Sequence, residues 1–230
     1  VAEAPASSTL YAPLGARISF SLPDGTKGWL NSGSSLEYQM PFNTNRQIAV
    51  KGEAWFDVAH DEDHPFHVEA GNSTVRVLGT KFNLSAYPEE DYVEVVLEEG
   101  KVTFAAPGMN RPVAMNPSER LVFTNDSIHI GVTDPLKYSA WVEGKLVFRN
   151  DPMSEVARRI ERWYHVDVQL MDASLQNDII RGTFEDDSLE DVMRYLSMTT
   201  PIRYRIEDRK VSDDGTFSRK KVLLYREKKE

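Results

Sequence analysis

The sequence predicts a mostly β first domain followed by a small α+β domain made of two βαβ repeats. Three observations carry that reading. Up to about Ile130, short segments that alternate apolar and polar residues succeed one another. Across Thr133 to Trp141 the texture changes and helical periods take over. Beyond that point, a shift of 36 residues lays FRNDPMSEVARRI (Phe148 to Ile160) on FEDDSLEDVMRYL (Phe184 to Leu196) without a gap. The two domains are assigned to residues 1–135 and 136–230.

Taken in order, VAEAPASSTLYAPLG is a loose Ala/Pro/Ser leader without the charged-then-apolar pattern of a signal peptide. Gly25, Gly28 and Gly33 are turn glycines in a β stretch with no helix behind them, so they do not make a phosphate cradle. Arg46 to Lys51 reads as a strand. Then come Ala54/Phe56/Val58, Phe66/Val68, Val75/Val77, Phe82/Leu84 and Val93/Val95/Leu97, with Gly52, Gly71, Gly79 and Gly100 about where the chain must turn. A period of two buries one face of each strand and leaves the other wet. Further turns are expected at Pro107–Gly108, Asn116–Pro117 and Asn125–Asp126. Periodicity alone does not separate a solenoid-like stack from a twisted sandwich.

In the second domain, each repeat should begin with a strand, Leu146 to Phe148 and Ile179 to Phe184. A helix follows with an apolar stripe at i, i+3, i+4, i+7: Met153, Val156, Ala157, Ile160, then Leu189, Val192, Met193, Leu196. Asp151 is placed as the N-cap of the first helix, with Pro152 at its first helical position. Asp187 is the matching cap of the second, with Glu190 at capping-box spacing. Closing strands are expected at Val166 to Leu170 and Ile202 to Ile206, plus a last one at Val222 to Tyr225. Two such helices would pack on small sheets. Lys220, Lys221 and Arg226 beside that last strand mark it as a sheet edge, since lysines discourage unwanted pairing.

Composition narrows the function. A chain of 230 residues with ten Phe, nine Tyr and four Trp can bury real cores. The net charge of −9 disfavours a nucleic-acid surface, which needs a basic stripe. It also gives no reason to expect anionic lipid binding. That charge is uneven: 11 basic and 19 acidic residues up to position 145, then 16 and 17. There is no cysteine, hence no disulfide, zinc–thiolate site or thiol nucleophile. No apolar run approaches the roughly 20 residues that span a bilayer.

No catalytic, metal or cofactor residue is assigned. His60, His64 and His67 with Asp61, Glu62 and Asp63 form the densest group of potential ligands, but a metal needs donors converging on one point. They read as an acidic hairpin turn between strands ending at Val58 and starting at Phe66. Among the acids, Glu53, Asp57, Glu94, Glu98 and Glu99, nothing sets a pair at a working separation. No buried, mutually hydrogen-bonded polar group of catalytic type is therefore expected. No G-x-S-x-G elbow is present. Trp29, Tyr38, Trp55, Tyr87 and Tyr92 carry the rival reading, a carbohydrate-binding β module, should their rings line one surface. Arg158, Arg162 and Trp163 beside the first apolar stripe, and Val222 and Leu224 on the last strand, are the candidate partner-binding residues.

The β run also carries a family resemblance. GEAWFDV (Gly52 to Val58), HPFHVEAG (His64 to Gly71), VRVLGTKFNLSAY (Val75 to Tyr87) and VVLEEGKV (Val95 to Val102) resemble the FecR family. LPDGTKGWLNSGSSLEY (Leu22 to Tyr38) and the Arg46 to Lys51 strand fit the same pattern in the same order. Its members are membrane-spanning regulators of extracytoplasmic-function sigma factors in Gram-negative bacteria. The doubled βαβ pattern resembles the short domain shared by secretins and the N-termini of TonB-dependent transducers. The resemblance implies a non-enzymatic periplasmic fragment cut just outside the inner membrane, its membrane helix and cytoplasmic segment lying outside this sequence. It implies two partners: the signalling domain of a TonB-dependent outer-membrane transducer, and a sigma factor reached through that cytoplasmic segment. No cofactor is implied.

Overall fold

The computed structural model describes residues 6–124, 127–211 and 215–227. The turn expected at Asn125–Asp126 and the first residues of the leader lie outside the described residues. The chain divides into two compact units, one up to Val142 and one from Glu143 onward. Residues 136–142, which sequence texture groups with the second domain, fall in the first unit. There the indole N–H of Trp141 donates to Asn83 Oδ1 at 3.0 Å.

Among the described residues the first unit holds thirteen strands and, after them, a short helix at Leu136–Ser139. The strands are β1 (Ser7–Tyr11), β2 (Ile18–Ser21), β3 (Lys27–Leu30), β4 (Ser35–Gln39), β5 (Gln47–Asp57), β6 (Phe66–Ala70) and β7 (Ser73–Val77). After these come β8 (Lys81–Ala86), β9 (Tyr92–Glu99), β10 (Val102–Ala105), β11 (Val113–Met115), β12 (Glu119–Thr124) and β13 (Ser127–Val132). They form one sheet whose main path runs β11-β10-β7-β6-β5-β8-β9-β12-β13. The sheet curls on itself. Phe104 of β10 and Phe123 of β12, far apart along that path, have ring centroids 5.7 Å apart. Its halves therefore close on one core, as the layers of a sandwich do. A chain of ring contacts, Phe42–Phe66, Phe66–Phe56 and Phe56–Phe82, fills the middle.

The strand that makes the curl is β5. Its first part pairs with β4 and β6, and its second part with β3 and β8. Two segments that look separate in sequence, Arg46 to Lys51 and Ala54 to Val58, are thus one continuous strand. Gly52 is its bend rather than a turn. Its φ is +101°, and a Cβ there would lie 2.3 Å from Ser34 Oγ.

The second unit contains β14 (Lys145–Pro152), α1 (Met153–Tyr164), β15 (Val166–Leu170), β16 (Ile179–Glu185), α2 (Leu189–Thr199), β17 (Ile202–Glu207) and β18 (Lys220–Arg226). The expected pair of βαβ repeats plus a last strand is present. β14 and β16 pair antiparallel, and β15-β18-β17 form a second sheet. Both helical stripes are buried in one core with Leu146, Phe148, Phe184, Val222 and Leu224. Phe148 and Phe184, equivalent by the 36-residue shift, meet edge to face at 6.1 Å.

The repeat extends to a detail that corrects the capping assignment. Asn150 and Asp186, again equivalent, are left-handed with φ of 61° and 57°. Asn and Asp tolerate that region better than other side chains. The turn they make aims the next carboxylate back at the strand. Asp151 Oδ2 accepts the Arg149 N–H at 2.8 Å, and Asp187 Oδ2 accepts that of Glu185 at 3.0 Å. Neither aspartate caps a helix. Pro152 stands at the N-cap of α1, while the N-cap of α2 is Ser188, whose hydroxyl accepts the Asp191 N–H at 3.1 Å.

A unit with its own core should fold alone. Residues 143–230 expressed by themselves are expected to give a cooperative urea transition and native-like far-UV circular dichroism. A flat, non-cooperative transition would refute this.

Candidate functional site

α1 places the proposed rim as its stripe requires. Met153, Val156, Ala157 and Ile160 point into the core, and Arg158, Arg162 and Trp163 beside them are half-buried. Trp163 packs against the core itself. Neighbouring Arg159 is structural. Its guanidinium donates to Val147 O at 2.7 Å, lies 4.9 Å from the Phe148 ring centre and stands 3.8 Å from Asp151.

The last strand departs from expectation. β18 is no edge: it is the central strand, parallel to β15 and antiparallel to β17. Its main chain is occupied on both sides. Val222 and Leu224 are fully buried, so neither strand addition at β18 nor direct contact with these two side chains is open to a partner. KKVLLYR is apolar on both alternating sets, so sequence could not say which set faces inward.

The opposite set forms a surface that sequence reasoning missed. Val166, Ile202, Val222 and Leu224 belong to the core, with Val168, Leu170, Tyr204 and Ile206 packed on it. By the period of two, Gln169, Leu223, Tyr225, Arg203 and Arg205 face away. Register sets Gln169, Leu223 and Arg205 in one row, Tyr225 beside Arg203, and Lys221 between Asp167 and Glu207. Leu223 and Tyr225 are half-buried, while Gln169, Arg203 and Arg205 are exposed. Asp167 is 3.6 Å from Arg219, and Glu207 is 3.5 Å from Arg205.

In the first unit the residues around His60 do not form a hairpin. β5 and β6 run parallel, with Gln47 opposite His67, so residues 58–65 are a crossover between parallel strands. Arg46 holds the crossover. It pairs with Asp24 at 2.8 Å and donates to the carbonyls of Ala59 and His64. A Cβ on Gly79 would come within 2.8 Å of the His60 backbone. The three histidines go separate ways: His60 toward Glu62 at 3.6 Å, His64 onto Asp61 at 3.0 Å, and His67 opposite Arg76 on β7. Among the described residues no three His, Asp or Glu side chains are grouped to hold a metal ion. Burial, and secondarily the Arg76 charge, holds the His67 pKa below the usual imidazole value. The unfolded chain therefore binds this proton more readily. His67's contribution to stability is full above the ordinary value of about 6.5 and is lost as pH falls from there through the lower folded value. NMR titration should show the His67 ring titrating below a histidine in the unfolded chain; an equal or higher midpoint would contradict this.

Two carboxylates of the first unit are buried and hydrogen-bonded. Glu53 is buried, with Asn31 Nδ2 on Oε2 at 2.8 Å and Asn83 Nδ2 on Oε1 at 3.0 Å. Its own N–H reaches Ser34 Oγ at 2.8 Å, and Asn83 in turn accepts from Trp141. Glu94, also buried, accepts from Arg120 across β9 and β12. Even spacing on a strand gave no sign that three polar residues on β3–β8 neighbours would converge. In each case the carboxylate is held by amide or guanidinium donors, an arrangement that ties strands together.

The five aromatics do not make one surface. Trp29 and Trp55 are cross-strand neighbours, with the Trp55 indole donating to Glu98 at 2.9 Å. Tyr38 packs edge-on against Phe42. Tyr87 is buried with its hydroxyl on Ser32 O, and lines a groove of about 650 Å³ with Tyr92, Lys51, Glu69 and Asp91. No helix among the described residues is long and apolar enough to cross a membrane.

Comparison with known proteins agrees with this architecture. Residues 8–103 match the family model described as FecR protein, and residues 145–212 match the one described as FecR, C-terminal. A crystal structure of a candidate anti-sigma factor from Parabacteroides distasonis ATCC 8503, at 1.65 Å resolution, is 31% identical. The match covers 95% of this chain and 99% of that one, with a TM-score of 0.80. A 2.50 Å structure bearing the same description is also 31% identical, over 96% and 99%, with a TM-score of 0.79. No curated protein matches the chain. With both family models matched in order, and a relative 31% identical along nearly its whole length, this chain belongs to the FecR family.

Proposed function

We propose that this chain is the periplasmic part of a FecR-like anti-sigma factor. In this reading it relays a signal from an outer-membrane TonB-dependent transducer to an extracytoplasmic-function sigma factor. The observation that carries the reading is the two-part FecR match together with the 31% identical anti-sigma candidate. The relay works by protein contact. The transducer's signalling domain binds one state of the regulator better than another and so shifts its equilibrium. The best-organised acids of the first unit, Glu53 and Glu94, hold strands together, which supports a scaffold over a catalyst.

The second unit is proposed as the partner-binding half, with the first as its β framework. Calorimetry with the purified signalling domains of the TonB-dependent transducers of the source organism tests it, against the whole chain, residues 1–142 and residues 143–230. Binding is expected to the whole chain and to 143–230. Affinity retained in 1–142 and absent from 143–230 would overturn the assignment. Tight binding of a β-glucan to the whole chain would favour a carbohydrate module instead.

A further inference from the structure

We propose that the outward face of the β15-β18-β17 sheet is the docking surface, and that it takes a protein partner presenting an apolar residue ringed by carboxylates. This rests on the reading that a signalling partner binds the second unit, and it replaces both the α1 rim and the β18 edge as the place of contact.

The centre of the face comes from the strand order. Because β18 lies between β15 and β17, the outward residues of β18 occupy the middle of the surface. Those residues are Leu223 and Tyr225, half-buried by neighbours on both sides. An apolar and aromatic centre inside a polar rim is the layout of a binding hot spot, where the rim excludes water from the central contacts. Tyrosine adds contact area at small entropic cost.

The rim fixes the chemistry of the partner. Arg203, Arg205, Arg219 and Lys221 stand against Asp167, Glu207 and, next along from Tyr225, Glu227, a surplus of one positive charge. Asp167 and Glu207 are taken up by Arg219 and Arg205. Arg203 and Lys221 form no ion pair among the described residues, and they flank Tyr225 and Leu223 at opposite ends. The surplus sits on a chain that is acidic as a whole, at −9. A carboxylate-rich partner surface is therefore steered to this face and away from the rest of the molecule.

The test uses the full chain and the purified signalling domain of whichever TonB-dependent transducer of the source organism binds it in the preceding experiment. Kd is measured by calorimetry at low and physiological salt, for variants that keep the wild-type circular dichroism. Arg203→Glu/Arg205→Glu is expected to weaken binding at least tenfold and to flatten its salt dependence. Tyr225→Ala is expected to weaken binding at least tenfold at both salt concentrations. Arg194→Glu, on the exposed side of α2, should leave Kd within about threefold, as surface changes outside an interface do. If the wild type binds no such domain, the transducer reading fails and takes the face with it. If the wild type binds and the face variants bind equally well, only the face is wrong; a loss confined to Arg162→Glu would return the contact to α1. Concentration-dependent dimerisation of the wild type, abolished by Tyr225→Ala, would assign the face to a second copy and overturn the proposed partner.

Discussion

Replacing Arg46 by alanine is expected to destabilise the first unit by about 3–5 kcal/mol, the range for breaking one side of a buried ion pair. The Arg46 and Asp24 side chains are 1% and 7% exposed and 2.8 Å apart. Asp24 also accepts from the backbone and hydroxyl of Thr26, and Thr26 Oγ1 receives the Ala59 N–H. Removing the guanidinium leaves that carboxylate without its counter-charge. It also frees the carbonyls of Ala59 and His64 and uncovers the Phe66 ring, which the guanidinium overlies at 5.3 Å. The crossover from Ala59 to Pro65 should loosen with it, visible as faster amide exchange there than in β8 and β9. Urea unfolding measures the loss. The double variant Asp24→Ala/Arg46→Ala should lose less than the two single variants added together, because the unpaired charge is then gone. A single-variant loss below about 1 kcal/mol, the size of a surface pair, would mean the pair holds nothing.

Gly52→Ala is expected to rank beside it. A residue at φ +101° carries about 1–3 kcal/mol of backbone strain when it is not glycine. The added Cβ would also lie 2.3, 2.7 and 2.8 Å from Ser34 Oγ, Cβ and Cα, an overpacking that costs about 1–3 kcal/mol more. Ser34 cannot retreat cheaply. It is fully buried, and its hydroxyl accepts the Glu53 N–H at 2.8 Å. Pushing it aside disturbs the bend of β5 and the Asn31–Glu53–Asn83 network together. The urea midpoint should fall with little change in slope. Ser34→Gly in the same chain should recover part of the loss by removing the obstacle, while leaving the strain. A Gly52→Ala variant as stable as wild type would show that β5 bends elsewhere.

Much of the architecture was legible without coordinates, and for local reasons. Alternation along β6 and β7 and the stripes of α1 and α2 depend only on the repeat of a strand or helix, which a single segment carries in full. β8 and β9, where a wet face was expected, are buried on both faces along most of their length, between β5 and β12 inside the curled sheet. The same holds for the 36-residue repeat, which reappears as paired left-handed residues at Asn150 and Asp186. The helix caps were misplaced by one residue because the aspartates had a nearer acceptor role, the N–H two residues back. The family was legible from blocks spread between Leu22 and Val102, within the residues 8–103 that the FecR model matches.

By itself, then, the sequence determined which segments are strands and helices, which helical faces are apolar, and that the second half is a duplicated unit of a FecR-family chain. Tertiary structure alone decided how those segments pair. Only pairing made β5 and β6 parallel, turned an acidic hairpin into a crossover, and brought Glu53 of β5 and Asn83 of β8 together with Asn31, just past the end of β3. Only pairing put β18 in the middle of its sheet, burying Val222 and Leu224 and turning Leu223 and Tyr225 outward. The reason is physical: side-chain alternation is a property of one strand, whereas a strand's neighbours are chosen by contacts between residues distant in the chain.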